Sequence, residues 1–393
     1  MKNSKIILLK RGDIMAGISV GKKDEIVMKL IHYFVTEENY RPIIVRGVQN
    51  EIWLENLDSD IPLIRININY IHNEEQLLTD TRKAESIRKT IKKKTYSLNM
   101  NMLNLLVDVR DEVSDVGNET TKNIKTIKIN KISDLKKNNF INEFFPSFKE
   151  KVQNKKANVN EIFTMTDELN EKTIKEDKIL AKVFRNNEKP IITTSLIVIN
   201  VIVYLLSIVN YNFILNTFAN YYLHIKNGEF YRLLTSTFVH ANIIHLLFNM
   251  YALYVIGPVV EKYYGKLKFL LIYLGSGIIG SLFSVVLTNY ASVGASGAIF
   301  GLFGALLFFG YKYRATLDGF LKSSIVPTLI LNLIIGLVIP GIDISAHIGG
   351  LIGGVLLSYS VGVVNKGKNK DRINGIIVII IMLAFLFYML MNK

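Results

Sequence analysis

Ser292-Val293-Gly294-Ala295-Ser296-Gly297-Ala298-Ile299-Phe300-Gly301-Leu302-Phe303-Gly304 is the stretch whose reading decides how this chain folds. It opens an apolar run that carries no charge until Lys312, with a serine at its head and glycines at positions 294, 297, 301 and 304. Small residues at this spacing let two helix backbones approach closely inside a membrane. A second stretch answers it: Ser345-Ala346-His347-Ile348-Gly349-Gly350, continued by Gly353 and Gly354. A bare hydroxyl or imidazole in such surroundings is costly and usually functional. Taken singly, the serine reads as helix packing and the histidine as a satisfied buried imidazole. Held together at one depth, they would form a nucleophile and its general base.

Working outward, seven segments approach the roughly 20 residues that span a bilayer as a helix. They run near 191–209, 243–260, 267–287, 296–311, 323–339, 343–364 and 374–391. One set of loops carries Lys262, Lys266 and Lys268, then Lys312, Arg314 and Lys322, then Lys366, Lys368, Lys370 and Arg372. The opposite set holds Lys226 and Arg232, no charge in 288–295, and Asp343. The positive-inside rule places the first set and the N-terminus in the cytoplasm. Segments 2, 4 and 6 then all enter from outside. Ser296 heads segment 4, His347 lies one turn into segment 6, and His245 and Asn249 share one face of the first turns of segment 2. From Ser296 to Tyr311 a helix rises about 24 Å, short of the roughly 30 Å hydrocarbon thickness. Ser296 is therefore expected some ångströms below the outer surface, in a hydrated cavity.

Composition narrows the classes. The 393 residues carry 47 Lys and Arg against 33 Asp and Glu, a net charge of +14. Many of these cations flank apolar segments, so no nucleic-acid partner is expected. There is no cysteine, which excludes disulfides and Cys-ligated metals. No cofactor and no metal are expected. Ile6 to Lys10 is too short for a signal peptide and is followed by Arg11 and Asp13. The organisation expected is a cytoplasmic α/β domain over 1–153, a charged linker over 154–188, a membrane domain over 189–364, and a basic loop with a seventh helix over 365–393.

The motifs resemble those of the rhomboid intramembrane serine proteases. They are Phe230-Tyr231-Arg232, the run from His240 through His245 to Asn249, then Gly257, Glu261 and Gly265, then Gly294-Ala295-Ser296-Gly297-Ala298-Ile299-Phe300, and Ala346-His347-Ile348-Gly349-Gly350. The resemblance covers about 195–362. It implies a polytopic α-helical membrane protein, a six-helix bundle plus a seventh helix, of the six-plus-one type with a cytoplasmic N-terminal domain. It implies Ser296 as nucleophile, His347 as base, and His245 and Asn249 at the oxyanion hole. His240, Gly294, Gly297, Phe300, Arg232 and Glu261 are implied as supporting residues. The loop 210–242 would be a half-submerged amphipathic element, and segment 5 with Pro340-Gly341 a lateral gate. Two departures stand out: Tyr231-Arg232 replaces the usual Trp-Arg, and Phe300 stands where many bacterial members have tyrosine. Transmembrane proteins are the implied substrates, lipid the surroundings, and the plasma membrane the location. A catalytically silent relative that escorts transmembrane helices is the alternative. A transporter would show internal repeats, and none is evident.

Before the linker, residues 25–36 and 74–94 read as helices, and 43–47, 51–55, 62–68, 103–109 and 127–129 as strands. Trp53 is expected in the core. Glu55 and Asp108 are conceivable metal ligands, though structural carboxylates are the plainer reading. Arg82, Lys83, Arg88, Lys89, Lys92, Lys93 and Lys94 read as a solvated helix face or a contact for anionic lipid. The partner of this domain is not named by its sequence.

Overall fold

The computed structural model describes residues 21–95, 97, 99–110, 112–113, 123–185, 189–313, 325–363 and 369–393. Arg314, Lys322, Lys366 and Lys368, which entered the orientation argument, and the Ile6–Lys10 run lie outside the described residues. The chain forms two units, Met1–Lys178 and Ile179–Lys393.

The first unit is a five-stranded sheet with helices on both faces. Helix α1 is Lys22–Thr36; β1 is Arg41–Ile43, β2 Glu51–Glu55, β3 Leu63–Asn67; α2 is Glu74–Thr95; β4 is Met102–Leu106, β5 Ile124–Lys128, and α3 Val159–Arg185. The strands lie in the order β1-β2-β3-β4-β5. The first three are antiparallel neighbours, while α2 carries the chain over so that β4 and β5 run parallel to β3. The first strand, expected at 43–47, instead occupies 41–43, because Gly47 turns the backbone at φ 79° and Ile43 pairs opposite Trp53.

Alternation along β3 sorts its side chains. Ile64 and Ile66 join Leu30, Phe34 and Phe148 in one core, and Leu63 joins Trp53 and Ala84 in the other. Arg65 faces the second core and is fully buried. Its guanidinium donates to Glu51 at 2.8 Å, to both carboxylate oxygens of Asp80 at 2.6 Å, and to Asn104 at 3.1 Å. Burial pushes the Glu51 carboxyl up, but hydrogen bonds from Arg65 and Lys83 outweigh it and hold it below its usual range. The basic run on α2 is therefore not one solvated face. Arg88 turns inward to Glu85 and the Met100 carbonyl, and Lys83 reaches Glu51. Asp108 pairs with Lys23. Leu169 of α3 is buried in the α1 core.

In the second unit the longer helices are α4 (Ile191–Val209), α5 (Ile243–Tyr264), α6 (Lys266–Leu287), α7 (Ser296–Lys312), α8 (Val326–Val338), α9 (Ile344–Val361) and α10 (Asn369–Met391), and the segment between α4 and α5 holds the short helices Tyr211–Phe218, Tyr222–Lys226 and Arg232–Thr235. Within the described residues α4, α5, α6, α9 and residues 371–391 of α10 are long and apolar enough to cross a membrane, while α7 and α8 are shorter apolar helices. At one end, Glu261 of α5 accepts from the backbone of Ile192 at 3.0 Å and Thr193 at 2.8 Å, and Lys268 donates to the Gly362 carbonyl at 2.8 Å. At the other end, Lys393 donates to the Val285 carbonyl at 2.9 Å.

The centre is α7, held between α6 and α9 by glycine. A Cβ on Gly350 would overlap the Gly297 carbonyl oxygen, and one on Gly354 the Gly301 carbonyl oxygen. A Cβ on Gly301 would overlap the Ser276 hydroxyl of α6, and one on Gly280 would stand 2.7 Å from the Ala346 carbonyl oxygen. Lipid tails are as apolar as leucine, so this backbone proximity and its van der Waals contacts drive association rather than hydrophobic burial.

Two outcomes follow from these contacts. Arg65→Met strands the Glu51 and Asp80 carboxylates in the first unit's core and should cost about 3–5 kcal/mol, read as proteolytic opening of that unit; unchanged protection would contradict the network's weight. Gly350→Val forces α9 off α7 and should cost about 1–3 kcal/mol or more, read as a lowered thermal midpoint in detergent.

Candidate active site

Ser296 is the first residue of α7, and its hydroxyl end of the helix is half-buried. Gly294, two residues earlier, has φ 120°, a backbone conformation that favours glycine. Its N–H donates to the Ser236 carbonyl at 2.9 Å. A Cβ there would also meet the His245 ring, 2.7 Å from Nε2. Glycine at 294 thus admits both the turn and the imidazole.

Helix length sets the depth of the serine. At about 1.5 Å per residue, the 17 residues of α7 fall some five residues short of α5 and α6, which have 22 each. Ser296 is recessed by about 8 Å if the opposite helix ends are level. The first backbone N–H groups of a helix, here those of Ser296 and Gly297, have no intrahelical acceptor.

His347 lies in the first turn of α9 and is buried. Phe300, one turn along α7 from Ser296, stacks on its ring at 4.1 Å between centroids and 15° between planes. The Ala346 carbonyl lies close to Gly297, where an added Cβ would stand 3.4 Å away. Among the described residues no hydrogen bond joins the Ser296 hydroxyl to His347, although their two helices meet backbone to backbone.

His245 and Asn249 follow from the start of α5. Asn242 caps this helix by accepting the His245 N–H at 2.8 Å, and the Asn249 amide donates to the His245 carbonyl at 2.9 Å. His240 is fully buried, edge-on to His245 with centroids 5.2 Å apart. Ser296, His347, His245, Asn249, His240, Gly294, Gly297 and Phe300 therefore gather at one end of the bundle.

Two expected supporting residues are elsewhere. Glu261 is 16 residues along α5 from His245, about 24 Å away, where it caps α4 with its carboxylate. Arg232 braces the segment between α4 and α5. There Glu229 accepts from His224 at 3.0 Å, from Tyr231 at 2.9 Å and from Arg232 at 2.8 Å, while Arg232 also donates to the Ala219 carbonyl at 3.1 Å. These bonds, that from His224 foremost, hold the Glu229 carboxyl down at about 2. Residues not singled out by spacing also bound the site: Ser276 against Gly301, Gly336 of α8 against His347, and Asp343, whose carboxylate caps α9 through the Ala346 N–H at 3.1 Å.

The family model of the Rhomboid domain matches residues 227–364. Rhomboid protease GluP of Bacillus subtilis (strain 168) is 30% identical over 361 residues, covering 88% of this chain and 71% of that protein. The chain belongs to the rhomboid family of intramembrane proteases. Putative rhomboid protease YdcA of the same organism is 42% identical over 147 residues, 37% of this chain and 73% of that protein. RHOMBOID-like protein 4 of Arabidopsis thaliana is 39% identical over 137 residues, 34% of this chain and 35% of that protein. The 361-residue match to GluP exceeds the 215 residues of the second unit, so it extends into the first unit as well.

The Glu229 cluster generates a pH expectation. A carboxyl with a depressed folded value stabilises above its ordinary range and loses that contribution as pH falls through the folded value. Order in residues 219–235 should therefore be complete above pH 4.5 and fade as pH falls toward 2. Amide exchange should rise in that window, and Glu229→Gln should show the rise already at neutral pH.

Proposed function

We propose that this rhomboid is a serine endopeptidase that cuts transmembrane proteins near the outer face of a plasma membrane, with Ser296 as nucleophile and His347 as general base. The observation that carries it is the glycine seam between α7 and α9, which sets the serine-bearing and histidine-bearing turns side by side at one end of the bundle. The stacked Phe300 restricts the imidazole to one plane.

The chemistry runs in two halves. The Ser296 hydroxyl adds to the scissile carbonyl carbon while His347 takes its proton. The tetrahedral oxyanion is met by the Ser296 N–H, His245 and Asn249. Collapse breaks the C–N bond, His347 returns the proton to the leaving amine, and an acyl-enzyme remains. Water then adds to the acyl carbon with His347 again as base, releasing the carboxylate product and restoring the serine. In an unliganded site, catalytic hydrogen bonds are often long and tighten only with substrate bound. Narrow space between close-packed helices favours small residues at the cut. Loop cations at the opposite helix ends support a cytoplasmic first unit.

Purified full-length Ser296→Ala and His347→Ala should retain the wild-type thermal midpoint and lose cleavage of a model transmembrane substrate by about 10³-fold or more. His245→Ala should lose about 10²–10³-fold. Undiminished cleavage by Ser296→Ala would overturn the assignment.

A further inference from the structure

Among the buried polar atoms beside the proposed site with no hydrogen-bond partner among the described residues are Nδ1 of His347 and Oδ2 of Asp343, with both ring nitrogens of His240. Leaving any of them unmet is costly in a low-dielectric interior. The first two belong to residues one helical turn apart. The His347 N–H donates to the Asp343 carbonyl at 3.2 Å, so the two side chains share a face of α9. Long side chains in a helix lean toward its N-terminus, which tilts the imidazole toward the carboxylate.

The other Asp343 oxygen is already used, as the cap on the Ala346 N–H. That fixes the carboxylate in place and leaves Oδ2 as a free, oriented acceptor. The Asp343 charge acts electrostatically on His347 and on Tyr290 of the 288–295 loop, where it adds to burial in raising the phenol. On its far side, Nδ1 faces Gly336 of α8, where even a Cβ would stand only 3.3 Å from it. Two unmet buried polar atoms one turn apart on the same face are the kind of pair that a buried water satisfies. From the other elements packed against it, Phe300 of α7 stacks on the ring and His245 of α5 acts on it electrostatically; the described residues of α8 contribute no titratable side chain.

We propose that Asp343 is a positioning residue for the His347 base, its free carboxylate oxygen holding the ring at Nδ1 through one bridging water. It rests on the Ser296–His347 assignment above. The carboxylate fixes the tautomer in which Nδ1 carries the proton, leaving Nε2 free to accept from serine, and it faces the imidazolium that forms as serine attacks. Capping alone would need no charge, since asparagine and serine cap helices as well as aspartate does.

The test separates cap from charge in the full-length protein. Asp343→Asn and Asp343→Ser both keep a capping side chain and remove the charge. Each should hold the thermal midpoint and KM near wild type. Each should lower kcat on the order of tenfold, as one charge acting across several ångströms of a half-wet site would. The rate of fluorophosphonate labelling at Ser296 should fall in parallel. Wild-type kcat and labelling rate in either variant would overturn the role of Asp343, even while Ser296→Ala and His347→Ala remain inactive. Full activity in those two would remove the dyad, and this role with it.

Discussion

Everything at the candidate site depends on the backbone contact between α7 and α9. Gly297 and Gly301 present carbonyl oxygens where Gly350 and Gly354 lack a Cβ, so the helices touch without intervening side chains. In lipid no hydrophobic gain rewards such a contact, and steric fit has to supply it. The same seam decides which side chains lie next to each other one turn away. Ser296 precedes Gly297 and His347 precedes Gly350 by three residues, so the glycines that bring the helices together also bring the two turns together.

Other features serve this seam from outside. Gly301 also receives the Ser276 hydroxyl, which locks α6 against α7. Asn220 pairs with Ser292 and donates from its side chain to the Ser281 carbonyl at 2.9 Å, tying the loop before α7 to the end of α6. Phe387 of α10 lies 5.8 Å from Phe230, and Leu386 and Leu390 pack with Ile225 and Val285. The seventh helix thus backs the segment that Glu229 and Arg232 hold. Support of this kind holds the half-buried serine at the head of α7 in one place.

Much of the rhomboid unit was legible in the sequence, because each helix is an apolar run bounded by charge or glycine. The helix starts at Ile191, Ile243 and Ser296 coincide with the runs' starts. The Gly-x-x-x-Gly spacing announced the α7–α9 contact, since only small residues allow it. What spacing could not show is which third group fills each gap: Ser276 under Gly301 and Gly336 beside His347 meet across the bundle, not along the chain. Glu261 belonged to a recognisable motif, yet its partners at Ile192 and Thr193 lie almost 70 residues away, so its capping role was hidden. In the first unit, Arg65 lies on the face of β3 that alternation sets opposite Ile64 and Ile66, and alternation alone cannot distinguish solvent from a second helical layer. The strand before Gly47 slipped for a related reason: apolar residues 43–45 suited a strand, but pairing with β2 decided where it stopped.

The most direct measurement is an experimental structure of the full-length protein reacted with a fluorophosphonate. Phosphorus should be bonded to Ser296 Oγ, with His347 Nε2 about 2.6–3.2 Å from a phosphonate or serine oxygen and the Gly297–Gly350 contact intact. A label on another residue, or an imidazole turned away from an unlabelled Ser296 across separated helices, would contradict the account.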